Sequence, residues 1–309
     1  MINLIRKTQL YRAIQSNGEK LFSQAVLAIF PDEKYLRLLL KECAKGFFKA
    51  EEGSRIAGLI DKELFSDLLI FPDEEKKFTV DLSVNVLEES LLRPVESREK
   101  LIILTDFHTA PALVQNKLLK LLEEPPEGVR FLLGAVTEQP VLPTVLSRVK
   151  KIVVPPFTEE EIFGALSRKY PEGNLRAAAA AGGGVFSVAE SLLSGEESFR
   201  FAEEFLSSLR VETCEKIGKI KTQTEFFAAL RAILRDMLFY KSGHKQYVLG
   251  ASRKVAELAE QYPFGVIVYA LEQVTLAEGQ IKFNANFASC IYALALGIKE
   301  EIGKWKRLS

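Results

Sequence analysis

Four short stretches hold the residue types that could do chemistry. In FPDEKYL, residues 30–36, a run of small and apolar residues gives way to a charged helical pattern. A turn of this kind holds phosphate when glycines let the backbone wrap the anion and a lysine reaches it. Here there is no glycine, serine or threonine, and Lys34 follows Asp32 and Glu33. In LIILTDFH, residues 101–108, an apolar run ends in Thr105-Asp106. An acid at that place is either a magnesium ligand of a nucleoside triphosphatase or a turn and cap residue. In NKLLKLLEEPPEGVRFLL, Glu123 and Glu124 end a helical pattern stopped by Pro125-Pro126. The helix dipole disfavours acids there, so they are either solvated or answer a basic partner, and the residues alone favour the solvated end. In TEQPVLPTVLSRVKKIVV, a helical turn over 143–146 leads to Ser147-Arg148 before the last apolar run. Arg148 is suited to a surface ion pair or to reaching a neighbour's phosphate, since its planar fork stays charged and grips oxygens in pairs.

These stretches must be positioned by a fold. Five short runs rich in Ile, Leu and Val, at residues 25–30, 67–71, 101–105, 130–136 and 152–154, do not alternate with polar residues. Such runs suit strands buried on both faces of a parallel sheet. Helical patterns at 34–48, 81–92 and 112–124 lie between them. The alternation predicts an α/β domain with right-handed crossovers. Pro155-Pro156 closes this block, and Thr158 with Glu161 forms the signature of a capping box. Beyond it the pattern is helical only. AAAAAGGG at 177–184 sits in a short helical segment, and a Ser/Gly/Glu-rich stretch at 194–198 reads as a linker. Long helical patterns from about 199 to 305 follow, with Phe227, Leu230, Leu234 and Met237 on one stripe. The expected organisation is therefore an α/β domain over 1–157, a small helical domain over 158–198 and a larger all-α domain over 199–309.

Composition narrows the chemistry. The 309 residues carry 41 basic and 41 acidic side chains, a balance that argues against tight autonomous binding of nucleic acid. Three cysteines, Cys43, Cys214 and Cys290, lie too far apart for a zinc pattern and read as buried free thiols. Two histidines exclude a multi-histidine metal site. No apolar run approaches the roughly 20 residues that span a bilayer. MINLIRKTQLYRAI is amphipathic and lacks the apolar core of a secretory signal, which points to the cytoplasm.

Taken together, LIILTDF, LLKLLEEPPEGVRFLL and LPTVLSR resemble the AAA+ module of bacterial clamp-loader subunits of DNA polymerase III. The likeness extends over residues 78–162, and within the family it is greatest to the delta-prime type. Residues 284–296, NANFASCIYALAL, are similar to the family's final collar helix. The departures bear on function. The family's phosphate-loop pattern GPxGxGK falls on Phe30, Pro31, Asp32, Glu33, Lys34, Tyr35 and Leu36, where only Pro31 matches. Thr105-Asp106 stands where active ATPases have paired acids, and Ser187 where they have an ATP-sensing arginine. Residues 49–66 contain no cysteine, so the family's zinc module is missing. Ser147-Arg148-Val149 replaces the family's SRC triplet and keeps its arginine, and Thr137 lies near the polar sensor position of the fourth strand.

The resemblance implies a subunit with no cofactor or metal that neither binds nor hydrolyses ATP. It implies assembly with ATPase subunits and a delta subunit in a hetero-pentamer, through a helical collar. Sliding clamp and primed DNA would be met through that complex, with no membrane. Arg148, with Ser147 beside it, would act as an arginine finger in trans. Two rival readings are an ATPase with a displaced lysine at Lys34, and a nucleic-acid-binding adaptor using Lys117, Lys120, Lys150 and Lys151.

Overall fold

A computed structural model describes residues 1–308 apart from 75, 171–174, 195, 221, 249–251, 253 and 284. The chain divides into two compact units, Met1–Pro156 and Phe157–Ser309.

In the first unit, α1 (Ile2–Ile5) and α2 (Gln9–Leu21) precede β1 (Ala25–Ile29) and α3 (Glu33–Phe47). Next come α4 (Arg55–Asp61), β2 (Leu68–Phe71), α5 (Val80–Ser90) and β3 (Lys100–Leu104). After a short 3-10 turn at Phe107–Thr109 the chain continues through α6 (Ala112–Glu123), β4 (Val129–Ala135), α7 (Pro143–Leu146) and β5 (Val149–Val153). All five strands are parallel, in the order β2-β3-β4-β1-β5. This is the five-stranded α/β module expected from the apolar runs, shifted by a residue or two at most ends.

Burial explains both the agreement and one exception. β1 and β3 are buried along their whole length, as strands covered on both faces must be. β5 is not: Lys150, Lys151 and Val153 are exposed. It pairs only with β1 at the edge of the sheet, so it tolerates lysines that a central strand would exclude. α3 lies close on β4 because Gly134 has no side chain. A Cβ there would stand 2.6 Å from Leu40 Cδ1 and 3.1 Å from Leu36 Cδ1.

The helix starts follow the local sequence. Asp32, Ser54 and Thr79 each accept a hydrogen bond from the backbone N–H three residues on, capping α3, α4 and α5. α4 lies within the cysteine-free segment at 49–66, which shows no helical period of useful length in the sequence.

Asp67, just before β2, is fully buried and holds the segment leading to β3. Its carboxylate accepts from the backbone N–H groups of Val95, Glu96 and Ser97 at 2.6, 2.8 and 2.6 Å, and from the Ser97 hydroxyl at 2.8 Å. Burial alone would push this carboxyl up. The bonds from Val95, Ser97 and Glu96 outweigh it and hold the group below its usual range. Because the folded value lies below the unfolded one of about 3.9, the contribution is fully present above that pH and is lost as pH falls through the folded value. Asp67→Ala is expected to cost about 2 kcal/mol at neutral pH by stranding these donors. Denaturant titrations at pH 7 and pH 2 should show the gap between wild type and variant closing in acid.

The second unit is helical throughout its described residues. α8 (Glu159–Leu166) opens on the expected capping box, Thr158 and Glu161 bonding reciprocally. It is followed by α9 (Leu175–Ala181), α10 (Phe186–Ser194), α11 (Glu196–Ser208), α12 (Val211–Ile217), α13 (Gln223–Lys241), α14 (Val255–Gln261), α15 (Phe264–Lys282) and α16 (Phe287–Leu308). The glycine run ends α9. Gly183 and Gly184 take positive φ of 58° and 84°, while a Cβ on Gly182 would stand 2.6 Å from that of Ala189. The stretch read as a linker at 194–198 differs from that expectation. Gly195 lies outside the described residues, and α11 starts at Glu196. The boundary expected at 198/199 thus falls within this second unit. Phe227, Leu230, Leu234 and Met237 lie in its core with Phe205, Phe226 and Phe287, whose rings meet edge to face. Of the segment compared with a collar helix, Asn284 lies outside the described residues and Phe287–Leu296 falls in α16. Cys43, Cys214 and Cys290 are free and buried, as read from their spacing.

Candidate functional site at the two edges of the sheet

Parallel strands place the chemistry-bearing stretches at opposite ends. Phe30–Leu36, Thr105-Asp106 and Thr137 follow β1, β3 and β4, and so lie at the carboxyl ends of the strands, where ligands of open α/β sheets bind. Arg148 precedes β5, whose first residue Val149 pairs with Ala25 at the start of β1. The two sites are therefore about one strand length apart, ~17 Å at roughly 3.3 Å per residue.

At the carboxyl edge, the turn after β1 is occupied by its own side chains. The Phe30 N–H donates to the Ala135 carbonyl at 2.8 Å, and its ring is 1% exposed. Asp32 is equally buried, and its carboxylate accepts from the Tyr35 N–H at 3.3 Å. The positive end of the α3 dipole, which holds phosphate in nucleotide-binding folds, thus faces an in-chain carboxylate. Glu33 adds a second acid in the first turn. Leu36, at the position of the family's lysine, is fully buried against β4. Lys34 is exposed, with its ammonium 5.4 Å from the centre of the Tyr35 ring.

Thr105 is buried in the ladder, its N–H donating to the Phe71 carbonyl at 2.8 Å and its hydroxyl to Asp106 Oδ2 at 3.0 Å. Asp106 takes a left-handed backbone with φ of 52°, and the Thr109 N–H and hydroxyl both donate to its carbonyl at 2.8 Å. This is the turn role, which Asp fills more easily than most residues. Among the described residues no three His, Cys, Asp or Glu side chains come together as a metal site. Thr137 lies beyond the end of β4 and bonds to Gln139. Ser187, in the second unit, is buried in the first turn of α10.

Two residues of this edge were not singled out by their sequence. His108 is half-buried and its Nδ1 accepts from the Val136 N–H at 3.4 Å. Burial pushes its pKa down, and the charge of Asp106 offsets this only in part. Arg37 of α3 grips Glu63 through Nε and Nη2 and donates to the Pro72 carbonyl at 2.9 Å. Burial opposes its charge, but Glu63 overrides this and holds it above its ordinary value.

At the amino edge the arginine is held. Arg148 Nε donates to Glu123 Oε2 at 2.7 Å, and Nη1 donates to the Thr144 carbonyl at 3.0 Å and the Ser147 hydroxyl at 3.4 Å. Ser147 caps α7 and donates its own hydroxyl to the Thr144 carbonyl at 3.1 Å. Glu123 is therefore not the solvated helix end that the isolated sequence favours: it is paired with a basic side chain 25 residues away. Gln115, eight residues earlier on α6 and also unread in the sequence, fastens the same structure. It is buried, with Nε2 donating to the Ala110 and Pro140 carbonyls at 2.8 and 3.0 Å and Oε1 accepting from the Leu142 N–H at 2.9 Å. One helix thus fixes the approach to α7 and grips the arginine beyond it. Lys117 and Lys120 are exposed on α6, as is Lys150 on β5, and Lys151 pairs with Glu138 at 2.7 Å.

Comparison with known proteins shows what this chain is similar to. A family model described as DNA polymerase III, delta subunit, matches residues 14–158. DNA polymerase III subunit gamma of Buchnera aphidicola subsp. Acyrthosiphon pisum is 31% identical over 104 residues, 34% of this chain and 28% of that protein. DNA polymerase III subunit tau/gamma of Haemophilus influenzae is 30% identical over 116 residues, 38% of this chain and 17% of that one. This chain thus spans less than a third of the length of these curated relatives. A crystal structure of a DNA polymerase III gamma subunit-related protein from Thermotoga maritima aligns over 95% of this chain and all of that one, at 19% identity and a TM-score of 0.49. Residues 14–158, with their five parallel strands, thus match the family model described as DNA polymerase III, delta subunit, and part of this region is similar to the gamma and tau/gamma subunits of that polymerase.

Proposed function

We propose that this chain is a clamp-loader subunit of the delta-prime type that leaves ATP binding and hydrolysis to its neighbours. It assembles with ATPase subunits and a delta subunit, meets the sliding clamp and primed DNA through that complex, and presents Arg148 to a neighbour's nucleotide. The helical second unit supplies the collar contacts, and the chain works in the cytoplasm. Among the described residues no helix is long and apolar enough to cross a membrane.

The observation that carries this reading is the turn after β1. A phosphate there would meet the buried Asp32 carboxylate where it needs backbone N–H groups, and Leu36 inside the core where it needs an ammonium. Restoring a site would take more than one substitution, because the leucine belongs to the packing of α3 on β4.

The rival reading gives the ATPase role to Lys34. Its ammonium lies over a tyrosine ring beside an exposed glutamate, which offers a phosphate no cradle. Calorimetric titration of the isolated chain with ATP or ADP in magnesium decides between them. The expected result is no binding at micromolar nucleotide. Magnesium-dependent binding in that range that Lys34→Ala abolishes would establish the rival. Lys117, Lys120 and Lys150 support at most a weak, salt-sensitive association of the free chain with DNA.

A further inference from the structure

We infer that Glu123 is a positioning residue for Arg148: it fixes the guanidinium while one nitrogen keeps no partner among the described residues, available to an anion on a neighbouring molecule. The inference rests on the proposed role of Arg148 and adds a second residue to it.

The geometry is specific. Of the three guanidinium nitrogens, Nε is committed to Glu123 and Nη1 to the Thr144 carbonyl and the Ser147 hydroxyl. Nη2 donates to no described residue. Arg148 is one third exposed and Glu123 about half, so the pair lies at the surface of its unit. A surface pair of this kind adds little to stability. Glu123 also ends α6, where the helix dipole disfavours an acid. Local stability therefore gives little reason for a glutamate here, whereas holding the arginine does.

An arginine on an exposed rim otherwise samples many rotamers, and ordering them costs free energy each time the side chain engages an anion. Glu123 removes part of that cost in advance. It can do so because α6 is itself anchored: Gln115 ties it to the segment entering α7, which carries the Thr144 carbonyl. Catalytic groups work only when held within a fraction of an ångström of the productive place. An arginine acting across a subunit boundary has no substrate of its own to orient it, so its own module must.

The test is steady-state ATP hydrolysis by the complex reconstituted with the full-length chain, comparing wild type, Glu123→Ala, Glu123→Gln, Arg148→Ala and the double alanine variant. Glu123→Ala is expected to lower kcat roughly tenfold with KM for ATP unchanged, an effect of misplacement on the scale known for displaced catalytic groups. Glu123→Gln, whose amide oxygen still accepts from Nε, should lose less. The double variant should be no slower than Arg148→Ala alone, because Glu123 acts only through the arginine. If Arg148→Ala slows hydrolysis while Glu123→Ala matches or exceeds the wild-type rate, the positioning role is overturned and the arginine's role stands. A double variant slower by the product of the single effects overturns it equally. If Arg148→Ala itself turns over normally, the arginine's role falls, and the inference with it.

Discussion

Replacing Arg148 by alanine in the complete complex is expected, on the role proposed for it, to slow ATP hydrolysis at a neighbour's site by roughly 10³-fold or more, the range of arginine fingers in phosphoryl transfer. The reason is electrostatic. Charge spreads over the transferring phosphoryl oxygens in the transition state, and a guanidinium placed there stabilises that charge more than it stabilises bound ATP. The loss should therefore appear in kcat, with KM for ATP little changed. Arg148→Lys should not restore the rate, since an ammonium keeps the charge but not the planar fork. Folding is not at stake: the bonds lost go to a surface carboxylate, a helix-end carbonyl and a hydroxyl. Single-turnover measurements on complexes in which only that site can hydrolyse would isolate the effect. Turnover at the wild-type rate in such a complex would remove Arg148 from the mechanism.

The two edges of the sheet were legible in the sequence to different depths, for physical reasons. The turn at Phe30–Leu36 can be compared by side-chain type alone: it has none of the glycines of the family's phosphate-loop pattern and a leucine in place of its lysine. The strands were equally plain, since a central parallel strand must be apolar on both faces. β5 escaped that rule by lying at the edge, which only the register with β1 reveals. α4 was invisible because seven residues are too few to show a helical period. The partner of Glu123 could not be read at all: the pairing depends on how α6 and α7 pack. The same holds for Gln115, Asp67 and Arg37, polar residues whose importance lies in partners brought to them by the fold. His108 could be noticed as one of two histidines, but nothing in the sequence sets its ring against the Val136 N–H. The division near 156 was marked by two prolines and a capping box. The serines at 194 and 198 carried a similar signal but lie within α10 and α11 of one unit.

Glu42→Ala is expected to destabilise the first unit by about 3–5 kcal/mol, the cost of removing one partner from a buried ion pair. Glu42 lies on α3 with no exposed surface, accepting from Arg6 Nε at 2.8 Å and Lys45 Nζ at 2.7 Å. The two cations reach further: Arg6 to Glu52 at 2.8 Å and Lys45 to Asp61 at 2.7 Å. A single carboxylate thus joins the segment after α1, the middle of α3 and the end of α4. Burial works against the Lys45 charge, but its bonds to Asp61 and Glu42 outweigh it and raise its pKa. The Lys45 contribution is therefore fully present below the unfolded lysine value of about 10.4 and is lost as pH rises through the folded value. Alanine leaves two cations facing a hole, with Glu52 and Asp61 too exposed to replace what is lost. Glu42→Gln keeps the shape and one acceptor, so its cost should be nearer 1–3 kcal/mol, the range for a weakened buried hydrogen bond. Urea unfolding followed by circular dichroism measures the loss, and hydrogen exchange along α3 and α4 shows where it falls. A change below about 1 kcal/mol, the level of a surface pair, would mean that water screens these charges and that packing alone holds α3 to α4.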